Sequence, residues 1–206
     1  MKIKAIRIKN NKVISGQSDR EVKAAIIIIS LFCASMIIGA GFFRINTKTV
    51  FDKIFESFLT IRADEKFLRL FLQAVIINGI LISVTFFFGL SCFGMPVIMA
   101  IPILHGLGFG LTAGYLIKNY SFNGMGYYLL TIFPSGIITV SAMVLSASLA
   151  VTSSCELLSV ILEKQQPDSK QLNVYFKKFL LLLITVFISA SADTVFTKAF
   201  SGLFIF

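Results

Sequence analysis

The chain has 206 residues, of which 56% are hydrophobic and only 14% charged, against roughly 25% charged in an ordinary soluble domain. Its mean hydropathy is +0.88, and it holds 22 Phe and no Trp. This balance excludes a soluble globular enzyme and a disordered or collagen-like chain, and leaves an all-α, polytopic integral membrane bundle. The formal net charge of +9 is read as helix-end charge that sets topology and meets anionic headgroups. No motif pairs it with an aromatic platform, so nucleic acid is not an expected partner.

Residues 1–23 carry Lys2, Lys4, Arg7, Lys9, Lys12, Arg20 and Lys23 against only Asp19 and Glu21, and are expected to be a basic, mobile tail. The first span follows at 24–43 (AAIIIISLFCASMIIGAGFF). Twenty residues make about 30 Å of helix, the thickness of the hydrocarbon. A run of that length, with more spans behind it, suits an uncleaved anchor better than a signal peptide.

Between 50 and 60, Val50, Phe51, Ile54, Phe55, Phe58 and Leu59 share one helical face, with Asp52, Lys53 and Glu56 opposite. An amphipathic helix lying in the interface is expected there, with a docking face for another protein as the alternative. The second span is placed at 67–88 and includes Gln73 and Asn78. These two are about 140° apart around a helix, so each is expected to bond a different neighbour. The uncharged turn GLSCFGMP (89–96), with Gly94 and Pro96 as breakers, joins it to a third span at 97–117. A polar loop, KNYSFNGMG (118–126), follows, with Tyr115, Tyr120, Tyr127 and Tyr128 around it as an expected interfacial aromatic belt.

The fourth span is placed at 127–152. Pro134 inside it either kinks one helix or separates a short segment from a longer one. After the hydrophilic stretch EKQQPDSKQLN (163–173), the fifth span is placed at 174–192. The final DTVFTKAFSGLFIF is amphipathic and either extends that helix or lies in the interface. Five spans with the N-terminus inside put eleven Lys/Arg on the cytoplasmic side and eight outside, which favours a cytoplasmic N-terminus.

Candidate functional groups are few. Gly106, Gly110 and Gly114 recur every four residues, a spacing that lets two helix backbones approach closely. Packing within the chain is the expected use, against Gly79 and Ser83 of the second span or Ala142, Ser146 and Ala150 of the fourth; a partner protein's helix or a second copy of the chain are the alternatives. His105, the single histidine, sits well inside the third span. Ionisable groups there are costly and invite a functional reading such as proton handling or ligand contact. A neutral imidazole bonded to Asn78, Gln73 or a serine is the plainer expectation. Asp193 is expected near the end of the last span, capped by Thr197 and Lys198 or, alternatively, paired with His105. Cys33, Cys92 and Cys155 are scattered without CxxC spacing, so neither a disulfide framework nor a metal site is expected. With no GxSxG, Walker or HExxH pattern and no paired intramembrane aspartates, no catalytic residue and no cofactor are assigned.

The order GLSCFGMP, LHGLGFGLTAGYLI, TIFPSGIITVSAM and SASADTVFTKAF, with the basic leader and the overall length, resembles the stage II sporulation protein M family of endospore-forming bacteria. Gly94, Gly106, Gly110, Gly114, Pro96 and Pro134 fall on recurring positions of that family, and Asp193 on its late acidic position. The resemblance implies a multi-pass protein of the septal or engulfing membrane. It would act in engulfment by localising stage II sporulation proteins D and P, which degrade septal peptidoglycan, and would carry no active site of its own. A transporter or permease component is the alternative, with a watery route along Asn78, His105 and Ser141; an intramembrane enzyme would need His105 and Asp193 in contact.

Overall fold

The structure is a computed structural model, and it describes residues 2–45, 66–162 and 169–200. The expected interfacial helix at 50–60 lies outside these residues. The described chain forms helices α1 (Lys2–Ile45), α2 (Phe67–Gly89), α3 (Met95–Tyr127) and α4 (Phe133–Leu162), the last two joined by a π-helical turn at Tyr128–Ile132, and then α5 (Ser169–Phe200). No strand occurs among the described residues.

The basic leader is not a separate tail: α1 runs unbroken through it. Nothing in 2–23 breaks a helix as proline would. Forty-four residues make about 66 Å of helix, twice the hydrocarbon thickness, so the basic half of α1 projects beyond the span.

Four stretches are long and apolar enough to cross a membrane: Asp19–Phe42, Phe67–Gly89, Met95–Ser159 and Asn173–Phe200. The third of these has 65 residues, far more than one crossing needs. It reverses at Ser121, where φ is 47° and ψ −120°, and so contributes two antiparallel limbs. Gly124 then lies against the Leu116 carbonyl, which a straight helix would hold about 12 Å away, eight residues back. The described chain therefore has five limbs, and the expected 118–126 loop is a single-residue reversal within helix.

The tyrosines do not form a belt. Tyr115, Tyr127 and Tyr128 are buried together with Ala113 and Leu116, and hold the two limbs of this hairpin side by side. The fourth limb runs on through Pro134 without a break. The Phe133 N–H donates to the Tyr128 carbonyl, five residues back. This wider π register takes up the proline that follows, which has no N–H to donate.

At the other end of the bundle, the α2–α3 turn is closed by Gly94, whose N–H donates to the Ser91 carbonyl at 3.2 Å. A Cβ on Gly94 would strike the Phe88 carbonyl. Pro96 occupies the first turn of α3, where its fixed φ suits a helix start. Ser154 of α4 donates to the Ser91 carbonyl at 2.7 Å, and Tyr175 of α5 donates to the Phe86 carbonyl at 3.1 Å. These bonds bring the ends of α2, α4 and α5 to one level. Lys178 pairs with Glu21 of α1 at 2.9 Å, which puts the basic half of α1 at the same end.

Large apolar side chains cover the outside. Ile37 is 73% exposed and Leu104 67%; a surface of this kind is solvated by acyl chains. The protein is an all-α polytopic membrane bundle.

Candidate functional site

Two features concentrate the unusual residues. The first is the contact between α1 and α3. A Cβ on Gly106 would meet the Phe32 carbonyl oxygen at 2.7 Å and run into Ser35 Oγ. On Gly110 it would overlap the Met36 carbonyl and lie 2.9 Å from the Ala40 N, and on Gly114 it would lie 2.7 Å from the Ala40 carbonyl oxygen. From the α1 side, Gly39 stands 2.6 Å, in the same sense, from the Leu107 carbonyl oxygen. Residue numbers rise together along both helices, so they are parallel. This is a small-xxx-small seam with glycine on both faces and backbone touching backbone.

The mate of the glycine stripe is thus α1, not the second or fourth span. A Cβ on Gly79 would meet nothing within 4 Å, and the same holds for Gly108. Ser83 lies in a separate apolar groove with Phe86, Phe176 and Phe179. Sequence reading missed Gly39 and Ser35 as partners, although the two small residues have the right spacing of four. The signal was there, in a run otherwise read only for hydropathy. With α1 seated on it, the stripe has no free face for a second copy of the chain.

The second feature is polar. Asn78 of α2, His105 of α3, Thr139 of α4 and Ser189 of α5 line one cavity of about 10 Å³, whose remaining wall is apolar. Each of these four helices contributes one polar residue to the lining. His105 Nε2 is buried and has no hydrogen-bond partner in the protein; its ring lies 5.1 Å from that of Phe109. The expected direct bond to Asn78, Gln73 or a serine is therefore not made through Nε2. Gln73 is exposed, away from the cavity. Ser141 is exposed as well and donates to the Ile137 carbonyl of its own helix at 2.7 Å. Asn78, His105 and Ser141 thus do not line a common route.

From the cavity a polar track leads along the α4–α5 contact. Thr139 Oγ1 and Ser189 Oγ share a short hydrogen bond. Ser189 Oγ also reaches the Ser135 carbonyl at 3.3 Å, and Thr139 Oγ1 reaches the same carbonyl at 3.1 Å. Ser135 Oγ donates to Asp193 Oδ1 at 2.9 Å. Asp193 is thus bonded across to the first turn of α4, beside Pro134. It does not line the His105 cavity. Ser135, Thr139 and Ser189 were not singled out in the sequence, because isolated Ser and Thr are common in apolar helices and usually bond their own carbonyls.

No group of three or more His, Cys, Asp or Glu residues able to hold a metal occurs among the described residues. The three cysteines are free.

A family model described as stage II sporulation protein M matches residues 27–198. No curated protein and no solved structure is significantly similar to the chain. The matched region runs from the first span through the glycine seam and the polar track to the last turns of α5, and on that extent the chain belongs to the stage II sporulation protein M family.

Proposed function

We propose that this sporulation-related membrane protein is a scaffold of the engulfment machinery, holding the peptidoglycan-degrading stage II sporulation proteins D and P at the septum. It catalyses no step itself; the hydrolysis belongs to its partners. The observation that carries the reading is the family match over 27–198. The architecture is in keeping with it. Many hydroxyls inside the bundle bond one another or backbone carbonyls, and the conspicuous glycines serve helix contact at backbone distance, an arrangement that suits a packed platform. On this reading the N-terminus is cytoplasmic, and the 44–66 segment and the Ser121 hairpin face the septal peptidoglycan.

The test is affinity purification of the full chain, tagged at its N-terminus, from membranes that also contain the D and P proteins. Recovery of either enzyme, and its loss from the septum when the chain is deleted, is the expected result. Recovery of neither, with normal septal thinning in the deletion strain, overturns the proposal.

A further inference from the structure

The cavity beneath His105 combines three observations. Its volume, about 10 Å³, matches the space that a single buried water needs. Four polar side chains from four different helices line it, Asn78, His105, Thr139 and Ser189, and a buried water ordinarily makes two to four hydrogen bonds. One of the four, His105, has a buried and unpartnered Nε2 in a membrane interior, where an unsatisfied polar atom is costly.

The hydroxyl pair adds a proton count. Thr139 Oγ1 and Ser189 Oγ make three contacts between them: one with each other, and one each with the Ser135 carbonyl. Two hydroxyls supply only two protons. At any moment one of the three contacts lacks a donor, and an oxygen lone pair of the pair is left to accept. A water accepts or donates as its neighbours require, and so satisfies the imidazole nitrogen and the hydroxyl pair together. An apolar cavity of this size would stay dry; four of the residues that line this one are polar.

We propose that this cavity is a binding site for one structural water, which joins His105 Nε2 to the Thr139–Ser189 pair. The track then continues from His105 through the water, Ser189 and Ser135 to Asp193. It ties α3, which carries the glycine seam with α1, to α4 and α5. Asn78 supplies a further donor and acceptor from α2. The site is independent of which proteins the bundle recruits.

The single histidine makes a direct test available. The full chain, labelled with ¹⁵N-histidine and reconstituted in lipid bilayers, yields the signals of one imidazole by solid-state NMR. The expected result is a water-edited cross-peak to that imidazole in the wild type. It should be lost in Asn78→Leu, which fills the cavity, and weakened in Ser189→Ala, which removes a partner. Wild-type protein without the cross-peak overturns the proposal. So does a cross-peak that persists unchanged in both variants, because the water then comes from bulk. Should one variant not fold, the wild-type spectrum and the other variant still decide the matter.

Discussion

Gly110 of α3 lies against the backbone of Met36 in α1, so closely that a Cβ on the glycine would overlap the Met36 carbonyl oxygen. The obstacle is backbone, and no side-chain rotation relieves it. Gly110→Ala must push the two helices apart and should cost about 1–3 kcal/mol, the usual penalty for overpacking a tight contact. The Tm of the detergent-solubilised protein should fall accordingly. Gly108→Ala, two residues away with open space around it, is the control. It should leave Tm unchanged or raise it, since alanine favours helix over glycine by up to about 1 kcal/mol. Equal losses at the two positions would remove the seam.

Ser121 holds φ 47° and ψ −120°, a conformation that glycine adopts freely and that strains residues with a Cβ. Such strain amounts to about 1–3 kcal/mol. Ser121→Gly should therefore raise Tm, and Ser121→Val should lower it, because a β-branched side chain fits this region worst. The paired scans read the sign directly. A gain with valine would mean that the chain does not reverse there.

About twenty apolar residues are what the bilayer demands, and runs of that length are legible in hydropathy alone. The second span, expected at 67–88, is Phe67–Gly89. What composition could not convey is pairing and rotation. The glycine stripe was legible from its spacing of four, but its mate depended on which helix docks beside it. Asn78 and His105 were each conspicuous, yet their meeting with Thr139 and Ser189 depends on the rotation of four helices about their axes. An interfacial belt is the normal place for tyrosines such as those around 118–126. The reversal at Ser121 instead turns them inward. The charge of the basic leader suggests disorder, yet lysine and arginine are good helix formers, and α1 continues through it.

Tyr175 and Phe86 stack at 5.3 Å, and the tyrosine hydroxyl donates to the Phe86 carbonyl at 3.1 Å. Tyr175→Phe keeps the ring contact and loses the bond, so it should cost about 0.5–1.5 kcal/mol. Tyr175→Ala removes the ring as well and should cost about 3–5 kcal/mol. The Lys178–Glu21 pair at the same end is exposed on the lysine side. Lys178→Gln should change stability by no more than about 1 kcal/mol, the ceiling for such pairs. Thermal melting should show Tyr175→Ala as the least stable of the three, with Tyr175→Phe and Lys178→Gln both much closer to the wild type.

Across the α4–α5 contact, Ser135 Oγ donates to Asp193 Oδ1. Ser135→Ala removes the donor from a partly buried carboxylate and should destabilise by about 1–3 kcal/mol. Asp193→Asn keeps an acceptor oxygen for the serine and should cost less. Unfolding of both variants in denaturing detergent checks the ranking. Equal stability of Ser135→Ala and the wild type would show that the bond contributes nothing to holding α4 on α5.

The three cysteines test topology without any engineered site. Cys92 lies in the α2–α3 turn. Cys155 follows Ser154, whose hydroxyl bonds the Ser91 carbonyl of that turn, so both thiols belong to one end of the bundle. Glu21 and Lys178 pair at that end, which places the basic half of α1 there too. Cys33 is exposed, but it is 12 residues beyond Glu21, about 18 Å along α1, and faces acyl chains. Maleimides react with the thiolate, which forms only in water. A charged maleimide should therefore modify Cys92 and Cys155 from one and the same side, and leave Cys33 untouched. With the N-terminus cytoplasmic, as proposed, that side is the inside: inverted vesicles should label and intact protoplasts should not. Labelling of both thiols in intact protoplasts reverses the proposed orientation and keeps the fold. Labelling of Cys92 and Cys155 from opposite sides breaks the fold itself, because it would separate two residues that the Ser154–Ser91 hydrogen bond holds together.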